Sequence, residues 1–238
     1  MKAILLAGGK GTRLRPLTIH TPKPIVPIFS RPFLHYQIDL LKQVPDIDEV
    51  ILSLNYQPRR IEEVFGDGKA LGVKLSYVVE PVPLGTAGAV KYANKSLDEP
   101  VVVFNGDIMT EVNLAAVLRL HRERRAKATI VLTPVENPTA YGLVETDPDG
   151  NVQRFLEKPK PEEITCNTIN AGIYILEPEA LELIPPQGRF DMTDLIQRLL
   201  DQRMRVAMFP IHEYWLDIGQ HADYLQAQKD SKTGRLKK

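Results

Sequence analysis

A glycine-rich segment close to the amino terminus has the composition of an anion-binding loop. Gly8, Gly9 and Gly11 follow a short apolar run and are accompanied by Lys10 and Arg13. Glycines let the backbone approach an anion and direct its N–H groups at it, and the cations add positive charge. The spacing matches neither the Walker loop nor the dinucleotide-binding fingerprint, which excludes a P-loop NTPase and a NAD enzyme. A tight turn with solvated cations is the alternative, but the position directly after a strand favours a polyphosphate site.

The carboxylate of Asp107 is a second candidate for chemistry. The apolar residues 101–104 lead into Asn105-Gly106-Asp107. Because ligands bind at the carboxyl ends of the strands in open α/β sheets, this order puts a carboxylate where a ligand is expected. Taken alone, such an aspartate is as compatible with a turn or a helix cap as with a metal site.

The elements that position these residues alternate between strands and helices, which is typical of an α/β fold with a mainly parallel sheet. The patterns predict strands over residues 2–6, 49–54, 74–79, 101–104, 128–133, 142–146, 152–157, 169–176 and 205–209. They predict helices over residues 32–43, 58–65, 85–95, 114–124, 191–201 and 220–229. Asn113 is expected to cap the helix that follows it, and a turn at residues 148–150 indicates a local antiparallel pair. No linker separates domains, so residues 1–230 are predicted to form one domain and residues 231–238 a frayed basic tail.

The composition excludes several classes of protein. The chain has 238 residues, 43% of them hydrophobic and 25% charged, as in ordinary globular proteins. Lys and Arg total 30, as do Asp and Glu, which argues against binding to nucleic acid or an anionic membrane. One cysteine, Cys166, excludes an internal disulfide, and the absence of a signal peptide or a long apolar run predicts a cytoplasmic protein. The five histidines lack the spacing of a zinc site.

The glycine-rich segment and several later motifs resemble those of sugar-nucleotide pyrophosphorylases, most closely the mannose-1-phosphate guanylyltransferase branch. The first matching motif is the glycine-rich segment, which begins with Leu6-Ala7-Gly8-Gly9. The later motifs are Thr21-Pro22-Lys23-Pro24, Leu84-Gly85-Thr86-Ala87-Gly88, Asn105-Gly106-Asp107, Tyr141-Gly142, Glu157-Lys158-Pro159, Asn170-Ala171-Gly172-Ile173-Tyr174 and Trp215-Leu216-Asp217-Ile218-Gly219. The resemblance implies a Rossmann-like three-layer sandwich of the nucleotide-diphospho-sugar transferase type. It also implies a nucleotide-binding part over about residues 1–110 and a sugar-phosphate-binding part over about residues 111–230.

The resemblance implies transfer of a nucleotidyl group from an NTP to a hexose 1-phosphate, with release of pyrophosphate. Asp107 and Asp217 would hold one Mg²⁺ ion, Arg13 would clamp the triphosphate, Lys23 would contact phosphate oxygens and Lys158 would neutralise the sugar phosphate. The nucleotide would be bound by Leu6, Ala7, Gly8, Gly9, Gly11, Thr12, Arg13, Lys23, Glu80, Gly85 and Thr86. The sugar phosphate would be bound by Asn105, Gly142, Glu157, Lys158 and Asn170. No general base is needed, because the attacking phosphate oxygen is already ionised at neutral pH.

The nucleotide base is the least determined part of this interpretation. The carboxylate of Glu80 could accept from N1–H and the exocyclic amino group of guanine together, whereas a pyrimidine offers a single N3–H. This favours GTP and mannose 1-phosphate, with GDP-mannose as the product. A uridylyl- or thymidylyltransferase acting on glucose 1-phosphate or an amino-sugar phosphate stays open, as does a non-catalytic sugar-nucleotide sensor.

The resemblance is compatible with a homodimer, for which the sequence identifies no surface. Longer members of the branch carry a β-helix of hexapeptide repeats, and residues 1–238 contain none. Assembly and regulation that depend on that extension are therefore not carried over from the resemblance.

Overall fold

A computed structural model describes residues 1–94 and 98–235 of the chain. They form an α/β fold with a mainly parallel sheet, as predicted. Two compact units are distinguished: unit 1 comprises Met1–Val82, Phe104–Val112 and Glu213–Lys238, and unit 2 comprises Pro83–Val103 and Asn113–His212. Each unit therefore takes segments from distant parts of the sequence, whereas the sequence-based division lies near residue 110.

The bounds of most elements agree with the sequence patterns to within a few residues. The strands are β1 (Lys2–Leu6), β2 (Pro27–Ile28), β3 (Arg31–Pro32), β4 (Glu49–Leu54), β5 (Leu75–Val79), β6 (Val101–Asn105), β7 (Ile108–Thr110), β8 (Ala128–Pro134), β9 (Gly142–Thr146), β10 (Val152–Glu157), β11 (Thr168–Leu176), β12 (Val206–Pro210) and β13 (Trp215–Asp217). The α-helices are α1 (Phe33–Leu41), α2 (Pro58–Phe65), α3 (Thr86–Ala93), α4 (Leu114–Arg124), α5 (Pro178–Glu182), α6 (Met192–Asp201) and α7 (His221–Lys232). Within the described residues, no helix has the length and apolar character needed to cross a bilayer.

Unit 1 is built on the parallel strands β1, β4 and β5. Leu52 of β4 pairs with Leu5 on one side and with Tyr77 on the other. Strand β4 is buried from its second residue to its last, which explains its almost continuous apolar sequence. The end of β6 lies beside β1, because the N–H of Gly106 donates to the carbonyl of Leu6 at 2.9 Å. The residues that follow these strands are thereby brought to the same edge, where ligands bind in α/β folds.

A pair of short antiparallel strands, β7 and β13, returns the last segment of the chain to unit 1. Leu216 pairs with Met109 in this ribbon. A hydrogen bond holds helix α7 beside this ribbon, since the hydroxyl of Tyr214 donates to the Asp230 carboxylate at 3.0 Å. An apolar cluster contains residues from the glycine-rich segment, from β7, from the position after β13 and from α7: Leu14, Ile28, Phe33, Met109, Ile218 and Ala227. The cluster therefore joins the glycine-rich segment to the ribbon.

The predicted tail begins too early in the sequence. Helix α7 continues to Lys232, although residues 231–238 are predicted to be frayed. Ser231 is buried, and the Asp230 carboxylate accepts from Tyr214 and Gln226, which holds the last helical turn in place. The prediction is therefore wrong for residues 231 and 232, and residues 236–238 lie outside the described residues.

Unit 2 has mainly antiparallel strand pairs. Strand β11 pairs with β8 and β9, β9 pairs with β10 through the predicted turn, and β12 runs parallel to β8. Residues 101–103 of β6 also belong to this unit. Asn113 caps α4 as predicted, since its side chain accepts from the N–H of Ala116 at 3.0 Å. Helix α6 begins with a capping box formed by Asp191 and Asp194.

The elements that the sequence patterns miss are short. Strands β2, β3, β7 and β13 and helix α5 have two to five residues, too few to show a period. Pro32 is predicted to be helical but lies in β3, so α1 begins one residue later. The helix predicted over residues 85–95 begins at Thr86, because Gly85 has a φ of 78°. Lys95, its predicted last residue, lies outside the described residues.

Candidate functional site

The glycine-rich segment of unit 1 is held in a defined conformation. Gly11 adopts a left-handed conformation with a φ of 61°, and its carbonyl accepts from the hydroxyl of Thr18 at 2.6 Å. A Cβ atom at Gly11 would lie 3.1 Å from the Thr18 methyl and 3.3 Å from Cβ of Lys23, so glycine permits this close packing. Leu14 is buried in the apolar cluster, whereas Arg13 is exposed. The segment is thus anchored at its end and leaves its cation accessible.

Two aspartates are brought onto neighbouring segments of unit 1. Asp107 follows β6 through Gly106, where a Cβ atom would lie 2.4 Å from the carbonyl oxygen of Leu6. Asp217 is the last residue of β13 and pairs with Ile108. The N–H of Ile218 donates to the carbonyl of Asp107 at 2.9 Å. The β7–β13 ribbon therefore determines the position of one carboxylate relative to the other.

The charges around these aspartates are strongly coupled. Burial raises the pKa of the Asp217 carboxyl to about 7, and the negative charge of Asp107 adds to this rise, while Lys23 and Arg13 oppose it. Lys23 Nζ lies 3.3 Å from Asp107 Oδ2. A Cβ atom at Gly219 would lie 3.3 Å from Nη2 of Arg13, which places this guanidinium beside the strand end that carries Asp217. Two acids and two cations thus share one small region.

The donor set of this region suits a divalent cation with oxygen ligands. Among the described residues, Asp217 Oδ1 is buried and has no hydrogen-bond partner. A buried carboxylate oxygen of this kind is unfavourable unless a cation or a donor satisfies it. The described residues include no group of three or more His, Cys, Asp and Glu side chains placed to hold a metal. Two carboxylates leave positions for phosphate oxygens and waters, a combination that Mg²⁺ accepts.

Glu80 lies next to the glycine-rich segment, at the carboxyl end of β5. The hydroxyl of Ser53 donates to Glu80 Oε1 at 3.1 Å. A Cβ atom at Gly8 would lie 3.4 Å from the same oxygen and 3.1 Å from the backbone nitrogen of Asn55. The absence of a side chain at position 8 therefore leaves room for the Glu80 carboxylate beside the segment.

In unit 2, the loop that contains Gly85 and Thr86 is fastened to the start of α6. The N–H of Thr86 donates to Asp191 Oδ1 at 3.1 Å, and the Thr86 hydroxyl accepts from the N–H of Met192 at 2.7 Å. A Cβ atom at Gly85 would lie 2.6 Å from the carbonyl oxygen of Phe190. Glycine is therefore required both for this contact and for the positive φ of the residue.

Gly142 and Glu157 face each other across the β9–β10 pair of unit 2. A Cβ atom at Gly142 would lie 2.7 Å from the Phe155 ring and 3.1 Å from Glu157 Oε2. Although Glu157 is exposed as a residue, burial of its carboxyl raises the pKa, Lys158 opposes the rise and Asp191 adds to it. Lys158 has a φ of 47°, and its N–H donates to the carbonyl of Tyr141 at 3.0 Å. The backbone thus carries a cation and a carboxylate side by side at this strand end.

Asn170 lies at an irregularity in the β8–β11 pairing. Its carboxamide oxygen accepts from the N–H of Gly172 at 3.0 Å, and its Nδ2 donates to the Tyr174 hydroxyl at 2.5 Å. These bonds fix the orientation of the carboxamide. The second N–H and the second lone pair of the carboxamide are the groups that a sugar hydroxyl could meet.

The predicted site residues divide between the two units. Unit 1 contains Leu6, Ala7, Gly8, Gly9, Gly11, Thr12, Arg13, Lys23, Glu80, Asn105, Asp107 and Asp217. Unit 2 contains Gly85, Thr86, Gly142, Glu157, Lys158 and Asn170. Ser53 and Asp191, which contact Glu80 and Thr86, are not among the residues identified from the sequence. A serine within an apolar strand and an aspartate three residues before another aspartate at a helix start are the signals that could have identified them.

Comparisons with known proteins find similarity over nearly the whole chain. A family model described as "Nucleotidyl transferase" matches residues 2–234. The chain is 37% identical over 242 residues to a UTP–glucose-1-phosphate uridylyltransferase of Synechocystis sp., covering 95% of this chain and 62% of the relative. It is 39% identical over 232 residues to a mannose-1-phosphate guanylyltransferase of Mycobacterium tuberculosis, covering 96% and 64%. The chain thus spans about 62–64% of the length of these curated relatives.

The fold is similar to that of a solved UDP-glucose pyrophosphorylase in complex with UDP-glucose. The two structures superimpose with a TM-score of 0.83 at 22% identity, and the match covers 98% of each chain. The predicted fold type is thereby confirmed.

Proposed function

Because this chain belongs to the nucleotidyl transferase family, we propose that it transfers a nucleotidyl group from an NTP to a sugar 1-phosphate and releases pyrophosphate. The observation that carries the proposal is the grouping of Asp107 and Asp217 with Lys23 and Arg13 in unit 1. A polyanionic substrate needs such fixed cations, and the buried carboxylate oxygen of Asp217 needs a cation of its own.

The reaction joins two anionic substrates that repel each other. A phosphate oxygen of the sugar 1-phosphate attacks the α-phosphorus of the NTP in line, and the bond from that phosphorus to the bridging oxygen of the departing pyrophosphate breaks. The glycine-rich segment supplies backbone N–H groups, and Arg13 and Lys23 supply fixed positive charge for the triphosphate. Asp107 and Asp217 would hold Mg²⁺, which supplies charge neutralisation to phosphate oxygens when it is bound.

On the sugar side, the proposal assigns the binding roles to residues of unit 2. Lys158 neutralises the sugar phosphate, and the Glu157 carboxylate accepts hydrogen bonds from ring hydroxyls. Gly142 permits close approach because a side chain at that position would already collide with Phe155. Asn170 contributes the remaining N–H of its carboxamide. No proton has to be removed from the attacking oxygen, since a phosphate monoester is ionised at neutral pH, so the residues bind and orient rather than act as a base.

For the substrates, we propose GTP and mannose 1-phosphate, with GDP-mannose as the product. The carboxylate of Glu80 beside Gly8 can accept two hydrogen bonds from guanine, and the Mycobacterium relative is named as a mannose-1-phosphate guanylyltransferase. The similarity to a uridylyltransferase acting on glucose 1-phosphate supports UTP as the second candidate. A non-catalytic sensor is disfavoured, because the chain retains Arg13, Lys23 and both aspartates.

Pyrophosphate release tests the proposal. The full chain with Mg²⁺ is incubated with GTP, UTP, dTTP or ATP, each against mannose 1-phosphate, glucose 1-phosphate and an amino-sugar 1-phosphate. We expect the fastest release with GTP and mannose 1-phosphate, and a loss of nearly all turnover in Asp107→Ala. Asp149→Ala, in the exposed turn between β9 and β10, is the control and should keep full turnover. Absence of release with every pair would overturn the proposed activity.

A further inference from the structure

Ser53 is an unusual residue for the strand in which it lies. It is 0% exposed in β4, and its neighbours Leu52 and Leu54 are also fully buried. A hydroxyl in such a position destabilises the fold unless it has a hydrogen-bond partner. The partner is Glu80 Oε1, at 3.1 Å. An alanine would fill the same place in an apolar strand without needing any partner, so the serine calls for an explanation beyond packing.

The backbone of Ser53 is fixed on both sides. Ser53 pairs with Leu6 of β1 and with Val78 of β5, and its carbonyl accepts from the N–H of Ala7 at 2.9 Å. Its hydroxyl therefore projects from a rigid point at the start of the glycine-rich segment. The Glu80 side chain, in contrast, follows the end of β5 and has three rotatable bonds, whose freedom the hydrogen bond restricts.

The hydrogen bond from Ser53 holds one oxygen of the Glu80 carboxylate. With Oε1 held by Ser53, the carboxylate lies beside Gly8, since a Cβ atom there would be 3.4 Å from Oε1. Each carboxylate oxygen has two lone pairs, so Oε1 can accept from Ser53 and from a ligand at the same time. A carboxylate held in one orientation can accept the two adjacent N–H groups of guanine together, whereas a mobile one gains less from the second group.

We propose that Ser53 is a positioning residue that sets the preference for guanine by fixing the Glu80 carboxylate beside the glycine-rich segment. The inference rests on the proposed function, because it assigns Glu80 to the base of the NTP. Uracil presents a single N3–H, so it depends less on the orientation of a second carboxylate oxygen. Loss of the Ser53 hydroxyl should therefore weaken the binding of GTP more than the binding of UTP.

The same two strands provide a matched control. Ser76 of β5 donates its hydroxyl to the carboxylate of Glu49, the first residue of β4. This is also a serine–glutamate hydrogen bond, here between β5 and β4, and it lies at the opposite ends of the strands from Ser53. Ser76→Ala therefore removes the same type of interaction away from the glycine-rich segment.

The experiment measures GTP and UTP binding to the full chain by calorimetry in the presence of Mg²⁺ and without sugar phosphate. We expect Ser53→Ala to lower the ratio of GTP to UTP affinity about tenfold, which is typical for the loss of a hydrogen bond to a charged group. Ser53→Cys, a weaker donor of similar size, should shift the ratio in the same direction, and Ser76→Ala should leave it unchanged. In a Glu80→Ala background, Ser53→Ala should have no further effect on the ratio of GTP to UTP affinity.

The inference would be overturned if Ser53→Ala weakened the binding of GTP and UTP equally. It would also be overturned if the ratio of GTP to UTP affinity were unchanged in both Ser53 variants. A wild-type chain that binds UTP as tightly as GTP would overturn it as well, even if pyrophosphate release with another nucleotide upholds the proposed function. Conversely, the expected ratios without any pyrophosphate release would uphold the role of Ser53 and overturn the proposed activity. Thermal denaturation of each variant reports whether a lost affinity comes from a lost fold.

Discussion

Asp217→Asn is expected to stabilise the metal-free protein while removing its response to Mg²⁺. Burial and the neighbouring Asp107 raise the pKa of the Asp217 carboxyl from 3.8 to about 7. The folded state therefore prefers the neutral carboxyl, and stability falls as the pH rises from about 4 to about 7. At about 1.4 kcal/mol per pH unit, the difference in pKa corresponds to a destabilisation of about 4 kcal/mol at pH 8, as an upper bound.

The asparagine side chain has nearly the same shape and no charge, so it avoids this destabilisation. We expect the free energy of unfolding of Asp217→Asn in EDTA to exceed that of the wild type by about 1–4 kcal/mol at pH 8. At pH 4 the two proteins should be nearly equal, because the wild-type carboxyl is then neutral in the folded state. Urea denaturation at the two pH values measures the difference.

Mg²⁺ should reverse the order of the two proteins. A cation bound by Asp107 and Asp217 would stabilise the folded wild type by an amount that rises with the logarithm of its affinity, whereas the variant has lost one ligand. The control is Asp147→Asn, since hydrogen bonds from Asn151 lower the pKa of the Asp147 carboxyl and its loss should destabilise the protein at pH 8. A metal-free Asp217→Asn that is less stable than the wild type at pH 8, or a variant that Mg²⁺ stabilises as strongly as the wild type, would refute the reasoning.

Two further predictions concern packing and pH. Gly106→Ala would place a Cβ atom 2.4 Å from the Leu6 carbonyl oxygen. We therefore expect urea denaturation to show a free energy of unfolding that is lower by about 1–3 kcal/mol, together with a large loss of turnover. Normal values for both quantities would contradict the close approach. Burial lowers the pKa of His121, with Glu177 opposing this effect, while Thr129 and Glu177 bind the neutral ring. As the pH falls, the unfolded chain therefore takes up a proton before the folded one, and the free energy of unfolding should decrease below about pH 6.5. The decrease should be smaller in His121→Gln. An equal dependence of the free energy of unfolding on pH in both proteins would show that other groups titrate there.

The sequence was sufficient to predict elements whose patterns are local. The apolar run of β4, the proline at the first turn of α2 and the asparagine before α4 each act within a few residues, and the structure confirms these elements. The placement of Asp107 at the end of β6 follows from the same local logic. These patterns need no knowledge of distant contacts, which is why periodicity and capping rules identify them.

Features that depend on pairing between distant segments could not be derived in this way. The three residues of β13 show no period, and their register against β7 places Asp217 opposite Ile108. The family resemblance implies that Asp217 is a metal ligand. Residue types alone, however, carry no information about the register of β13 against β7. Ser53 is not identified from the sequence for a similar reason. Its partner Glu80 follows another strand, and the serine is unremarkable until its own strand is known to be buried.

The charge pattern of unit 1 explains why the glycine-rich segment needs these distant partners. Backbone N–H groups carry only partial charges, whereas a triphosphate and a sugar phosphate together carry several full negative charges. When both aspartates are ionised, Arg13 and Lys23 balance their charge, so the four side chains together add no net charge. On the proposed function, attraction for two polyanions would then come from a cation that the aspartates retain. The acidic pair, which would by itself repel the substrates, would then be what allows the loop to bind them. Its separation in sequence would make the β7–β13 ribbon a condition for binding.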